Sequence, residues 1–67
     1  PLKQLQGYGL TNRESEVLRW LNKGKTNGEI AIILGMSKRT VEKHLEHIFT
    51  KLGVETRGAA AAILRHD

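Results

Sequence analysis

The sequence predicts an all-α fold, a compact domain of four short helices, and three observations support that prediction. Apolar residues recur at helical spacing, a hydroxyl residue precedes each apolar segment, and a glycine follows each of the first three. The alternation of β-branched residues that indicates strands is missing. We therefore expect helices near residues 12–23, 27–34, 38–52 and 57–65.

Local signals mark where these helices begin and end. The segments 11–14 and 26–29 carry the capping-box pattern, in which a threonine and the glutamate three positions later satisfy each other's backbone amides. Ser37 and Thr56 are expected to cap the third and fourth helices. A glycine can adopt the left-handed conformation that ends a helix at little steric cost. The glycines expected in this role are Gly24, Gly35 and Gly53.

Each of the first three helices has an apolar stripe, and together the stripes predict a single core. The stripes are Val17, Leu18 and Leu21; Ile30, Ala31 and Leu34; and Val41, Leu45, Ile48 and Leu52. Helical spacing keeps the third stripe on one side of its helix. The opposite side is predicted to be polar and partly basic, and it carries Arg39, Lys43, Glu46 and Thr50.

Length and composition limit the classes of protein that fit. The 67 residues suffice for one small domain, expected over residues 10–67, with residues 1–9 as a tail or linker. The sequence has no cysteine for a disulfide and no apolar run of the roughly 18 residues that a membrane span needs. The net charge of +4 favours a polyanionic partner. We expect a cytoplasmic protein, and the start at Pro1 indicates a domain excised from a longer chain.

The connection between the second and third helices, residues 34–37, is short enough to force a sharp angle between them. Gly35 provides the turn and Met36 an apolar plug. This is helix-turn-helix spacing, in which the second helix of the motif enters the DNA major groove. The entering end combines two cations with free amides and the positive end of the helix dipole. Its residues are Ser37, Lys38, Arg39 and Thr40.

A set of motifs runs through nearly the whole chain: Leu10-Thr11-x-Arg13-Glu14-x-Glu16-Val17-Leu18, Gly24-Lys25-Thr26-Asn27, Glu29-Ile30-Ala31, Leu34-Gly35-Met36-Ser37, Thr40-Val41, His44, Ile48, Lys51-Leu52-Gly53-Val54, Arg57 and Ala60. With these motifs the chain resembles the LuxR-type helix-turn-helix domains of quorum-sensing regulators and response regulators. In that family the third helix contacts DNA bases, the second touches phosphate, and the fourth often forms a two-fold dimer contact. The resemblance implies a transcription regulator that binds double-stranded DNA, with RNA polymerase and an N-terminal regulatory domain as further partners.

The resemblance also assigns individual contacts. The base-facing positions of the family fall on Glu42, Lys43 and, one turn later, Glu46. A glutamate can accept a hydrogen bond from a cytosine amino group, but it repels phosphate. Gly28 stands where some relatives have a polar or basic residue against the DNA backbone, so phosphate contact there is expected from Thr26, Asn27 and main-chain amides.

Several of these side chains have alternative interpretations. Glu42 and Glu46 can form intrahelical ion pairs with neighbouring cations instead of contacting bases. His44 borders the apolar stripe, so packing or a backbone hydrogen bond is expected, with a phosphate contact as the alternative. His44 and His47 lie one turn apart, but zinc sites usually need three or four protein ligands, so we expect no metal.

Other residues are expected to be structural. Trp20 is interpreted as a core or interface anchor. Ile32 and Ile33 extend beyond the stripe of the second helix, which indicates either a wide buried face or a partly exposed patch that touches another domain, and we expect partial burial. Arg57 is expected to tie the last helix to the others, with DNA contact as the alternative.

The fourth helix is apolar nearly all round over residues 58–64. One side is expected to cover the core, and the small residues on the other side would let an identical helix approach about a two-fold axis. The expected dimer contacts are Ala59, Ala62 and Ile63. The alternative is that the alanines serve only helix propensity.

Two other functions compete with the LuxR-type interpretation. Region four of a sigma factor uses a similar motif, but the stretch 51–54 followed by an alanine-rich helix is LuxR-like. A protein-interaction module that lost its DNA contacts would explain Glu42 and Glu46. No nucleophile–base pair, phosphate loop or paired carboxylates emerge, so we expect neither an enzyme nor a cofactor.

Overall fold

Four α-helices follow one another along the chain, which confirms the predicted all-α fold. The computed structural model describes residues 6–65, and within this range it contains no strand. The helices are α1 (Asn12–Asn22), α2 (Asn27–Leu34), α3 (Lys38–Leu52) and α4 (Arg57–Arg65). A 3-10 turn, Gln6–Tyr8, lies in the segment predicted as a tail, and residues 1–5 of that segment are outside the described range.

The helix starts are built as the capping patterns predict. The Thr11 hydroxyl accepts from the Glu14 amide at 3.1 Å, and the Glu14 carboxylate accepts from the Thr11 amide at 3.0 Å. The same reciprocal pair joins Thr26 and Glu29 at 3.1 and 2.8 Å. The remaining two caps have donor–acceptor distances of 3.1 Å, from Thr40 N to Ser37 Oγ and from Ala59 N to Thr56 Oγ1.

The turn between α2 and α3 depends on Gly35, whose φ of 67° and ψ of 39° lie in the left-handed region. Residues with a Cβ rarely adopt this backbone conformation, so glycine ends the helix here without strain. Beyond it, the Met36 amide donates back to the Ala31 carbonyl at 3.0 Å, and the Met36 side chain packs against the core. The predicted turn is therefore confirmed, and after it α3 packs against α2.

The core lies where the predicted stripes meet. Val17 and Leu18 of α1, Ile30 of α2, and Val41 and Ile48 of α3 are fully buried. Further core residues are Leu21, Ala31, Leu45, Ala60 and Ala61. α1 packs against α3 and α4, and α2 packs against α3. The buried face of α3 thus leaves its opposite face free, and there the predicted polar residues are exposed.

Glu14 has a role that the sequence did not reveal. Its side chain is only 4% exposed, yet its carboxylate accepts from Lys51 Nζ at 2.7 Å and lies 3.6 Å from His47 Nδ1. Burial opposes ionisation of Glu14, but the hydrogen bonds from Lys51 and from the Thr11 amide outweigh it and lower the pKa. One capping glutamate therefore also attaches α1 to the C-terminal half of α3.

The partial burial expected for Ile32 was wrong. Ile32 is 83% exposed and Ile33 is 43% exposed. Because α2 presents Ile30 and Ala31 to the core, Ile32 lies on its outer side. Trp20 matches its prediction: it is partly buried and packs against the core, with Lys23 Nζ 5.8 Å from its ring centroid.

Candidate nucleic-acid interface

The predicted contact residues lie at the start of α2, at Thr26 and Asn27, and along residues 37–46 at and after the start of α3. Thr26 and Ser37 cap the two helices, and the two starts lie close together because Thr26, Asn27 and Lys38 line one cleft. Eight of the side chains are exposed: Thr26, Ser37, Lys38, Arg39, Thr40, Glu42, Lys43 and Glu46. Asn27 and His44 are half-buried.

The first group of predicted residues borders a cleft at the start of α2, which we call the α2 cleft. Its lining includes Lys25, Thr26, Asn27, Lys38 and Arg57. Three cations thus surround Asn27, and this local charge favours an anion. Lys25 was not among the predicted contacts, and DNA contact by Arg57 was only the alternative to its expected structural role. The sequence offers one signal for both residues, which is their position beside a helix cap. Lys25 precedes Thr26, the cap of α2, and Arg57 follows Thr56, the cap of α4.

Arg57 contacts the start of α2 through both terminal nitrogens. Its Nη1 donates to Asn27 Oδ1 at 2.6 Å, and its Nη2 donates to the Lys25 carbonyl oxygen at 2.7 Å. These bonds confirm that Arg57 ties α4 to another helix. They also place the guanidinium beside a predicted DNA contact.

The second group borders a cleft along α3, which we call the α3 cleft. Arg39, Thr40, Lys43 and His44 line it, together with Ser37, His47, Thr11 and Glu14. The hydroxyls of Ser37 and Thr40 are 2.9 Å apart, and the Ser37 hydroxyl also caps the helix. Because the Ser37 hydroxyl already accepts the capping hydrogen bond from Thr40 N, it is less available to an external ligand than the side chains of its exposed neighbours. Among the described residues the His44 side chain makes no hydrogen bond, so its expected bond to the backbone is not found.

Glu42 and Glu46 lie exposed on α3 and line neither cleft. Within residues 7–63 neither side chain forms an ion pair, so the intrahelical pairs considered from the sequence are not found. Their carboxylates can accept hydrogen bonds from outside the protein. In the same range no three histidine, aspartate or glutamate side chains are arranged to hold a metal ion.

A third carboxylate, Glu29, stays close to the α2 cleft. Hydrogen bonding from Thr26, first of all from its backbone amide, lowers the pKa of Glu29. Glu29 is therefore ionised at neutral pH and offsets part of the positive charge around Asn27. Its carboxylate remains engaged with the helix cap at 2.8 Å.

The outer side of α4 contains the predicted dimer residues. Ala59 is exposed, whereas Ala62 and Ile63 are half-buried. Ala60 and Ala61 face the core. The spacing of residues 59, 62 and 63 keeps them on one stripe of the helix. In the described part of the chain no helix is both long and apolar enough to cross a membrane.

A short turn through a left-handed glycine, a supporting helix packed on the core by one face and a following helix with an exposed polar start define a helix-turn-helix domain. Residues 8–64 match the family described as bacterial regulatory proteins, luxR family. The chain belongs to this family and is the DNA-binding domain of a transcription regulator.

Curated relatives agree with this assignment. The chain is 51% identical over 53 residues to the transcriptional activator protein AhyR of Aeromonas hydrophila, covering 79% of this chain and 20% of that protein. It is 43% identical over 67 residues to the transcriptional regulatory protein ComA of Bacillus subtilis, covering 100% of this chain and 31% of that protein. An uncharacterized response regulatory protein of Escherichia coli, YgeK, is 53% identical over 47 residues, 70% of this chain and 32% of that protein. The chain thus spans a fifth to a third of the length of these relatives.

Proposed function

We propose that this domain binds double-stranded DNA by inserting the start of α3 into the major groove. The supporting observation is that the exposed start of α3 lies between the α2 cleft and the α3 cleft, both bordered by cations. A major groove is about as wide as a helix, and base edges within it carry a distinct pattern of donors and acceptors. A helix that is buried on one face and polar on the other fits this ligand.

The surroundings of each side chain suggest its role. Lys43, Glu42 and Glu46 are exposed beyond the first turn of α3 and are proposed to meet base edges. The residues nearer the two helix starts are proposed to contact the sugar-phosphate backbone, which positions the domain without reading sequence. They are Thr26, Asn27, Ser37, Lys38, Arg39, Thr40 and His44.

We further propose that two copies pair through α4 and bind an inverted repeat. The exposed Ala59 and the half-buried Ala62 and Ile63 provide a smooth stripe for close helix approach. In such a dimer the two α3 helices would enter successive major grooves about 34 Å apart. A small module alone buries limited surface, so pairing would raise both affinity and specificity.

The complete regulator would contain more than this domain. Relatives that are several times longer are named transcriptional activators or response regulatory proteins. We propose an N-terminal regulatory domain and RNA polymerase as partners, with the exposed Ile32 and Ile33 available for a protein contact. Such a regulator would act on the chromosome in the cytoplasm and would catalyse no reaction.

Fluorescence anisotropy with a labelled random-sequence duplex tests DNA binding directly. Affinity should fall steeply between about 50 and 200 mM salt, because lysine and arginine release condensed counterions when they contact phosphate. Lys38→Ala should reduce the slope of the logarithm of affinity against that of salt by roughly 1. The matched control is Lys23→Ala, which removes the same charge beside Trp20 and should leave the slope unchanged. A flat salt response of the unaltered chain would contradict DNA binding.

A further inference from the structure

The bond between Arg57 and Asn27 determines how the Asn27 amide is oriented. A guanidinium can only donate hydrogen bonds, whereas an asparagine amide has one accepting oxygen and one donating NH2 group. The oxygen Oδ1 must therefore be the atom that faces Arg57, at 2.6 Å from Nη1. The second arm of the guanidinium holds the Lys25 carbonyl at 2.7 Å and prevents the fork from rotating. The Nδ2 group of Asn27 is consequently directed away from Arg57.

This Nδ2 group has no hydrogen-bond partner among the described residues. Asn27 lines the α2 cleft together with Lys25 and Lys38, whose charges favour an anion there. The next residue, Gly28, adds no side chain to the cleft, and even a Cβ at that position would lie 3.9 Å from Thr26 Oγ1. The α2 cleft therefore combines an oriented hydrogen-bond donor with two lysines and open space.

We propose that Arg57 is a positioning residue for DNA: by holding Oδ1 of Asn27, it presents the Asn27 NH2 group as a donor to a phosphate oxygen in the α2 cleft. This inference rests on the proposed DNA binding and adds a role that the sequence did not assign to Arg57. Both terminal nitrogens of Arg57 already donate within the protein. Because Arg57 begins α4, one side chain links the proposed dimer helix to the phosphate contact.

A double-mutant cycle tests the inference on the 67-residue chain. Arg57→Lys keeps the positive charge but cannot form the two-armed contact, and Asn27→Ala removes the donor. Each variant should weaken binding to the random duplex by about tenfold, the effect of one hydrogen bond to a charged group. The combined variant should lose about the same tenfold, because Arg57 acts through Asn27. Arg19→Lys makes the same exchange at an exposed arginine of α1 and should bind normally.

Additive losses, of roughly a hundredfold in the combined variant, would show that Arg57 acts independently of Asn27 and would overturn the inference. Unchanged binding by Arg57→Lys, with steep salt dependence intact, would overturn it and leave the proposed function standing. If the unaltered chain bound without salt dependence, the proposed function itself would fail.

A second variant separates positioning from folding. Asn27→Asp keeps an oxygen acceptor for Arg57 but replaces the NH2 donor by a charged oxygen that repels phosphate. Its thermal midpoint by circular dichroism should equal or exceed that of the unaltered chain, whereas its duplex affinity should fall by more than tenfold. A folded variant with undiminished affinity would exclude the phosphate contact of Asn27.

Discussion

Lys38 and Lys43 are both exposed lysines of α3, but their surroundings differ. Lys38 lines the α2 cleft beside Asn27 and Arg57, whereas Lys43 lines the α3 cleft one turn further along the helix. Lys43→Ala should therefore reduce discrimination between a site selected from a random pool and a random duplex, by about 1–3 kcal/mol. Lys38→Ala should weaken binding to both duplexes equally, as expected for a phosphate contact. Anisotropy titrations of both duplexes distinguish the two outcomes, and equal losses for Lys43→Ala would reassign it to phosphate.

Glu14 is a buried charged residue that joins two helices, and its charge is expected to contribute to stability. Its buried carboxylate holds Lys51 and the Thr11 amide. Glu14→Gln should lower the free energy of unfolding by roughly 1.5–3 kcal/mol, because a hydrogen bond to an ionised group is replaced by a neutral one. Urea denaturation at pH 7 measures the loss. Glu16→Gln is the control on the same helix, since Glu16 forms only an exposed pair with Arg13 and should change little.

The same carboxylate predicts a pH dependence of stability. The pKa of Glu14 is lower in the folded state, so its contribution is complete above the unfolded pKa of about 4.3 and is lost as pH falls through the lower folded pKa. The difference in stability between the unaltered chain and Glu14→Gln should therefore shrink as the medium becomes more acidic than pH 4. A difference that stays constant down to pH 2 would mean that the Glu14 charge contributes nothing.

At the scale of elements, the proposed pairing of two copies through α4 can be tested by a single substitution. Ala62 is half-buried, so a substitution there would disturb folding, and the exposed Ala59 is the better position. Ala59→Glu should abolish cooperative binding to an inverted repeat, because two carboxylates would meet across the two-fold axis. Affinity for a duplex with a single half-site controls for direct repulsion of DNA and should change much less. Intact cooperativity in a folded Ala59→Glu variant would reject α4 as the dimer surface.

The elements that sequence reasoning predicted well are those with local signals. The boundaries of α2, α3 and α4 agree with prediction, and α1 ends at Asn22, one residue earlier than expected. A capping hydroxyl and its glutamate lie three residues apart, so the pattern is visible within a single turn. The exposure of Ile32 was predicted wrongly, because the sequence does not show whether another helix covers an apolar side chain.

At the scale of the whole molecule, one core supports all four helices. A domain of this size is expected to be stable by only about 3–10 kcal/mol. Leu18 is fully buried, and Leu18→Ala should lower the free energy of unfolding by roughly 2–5 kcal/mol, a large part of that total. Ile32→Ala removes a side chain of the same size from an 83% exposed position and should cost less than about 0.5 kcal/mol. Similar losses for both variants in urea denaturation would contradict the core described here.

The amino-acid sequence by itself determined the helices, their caps, the turn at Gly35 and the apolar face of each helix. These features depend on residues within about one helical turn of each other, so spacing along the chain is enough to predict them. Only the tertiary structure decided that Glu14 meets Lys51 across 37 residues, that Arg57 orients Asn27 across 30, and that Ile32 is left uncovered. Helical periodicity shows which face of a helix is apolar, but the partner of a polar side chain depends on how the helices pack.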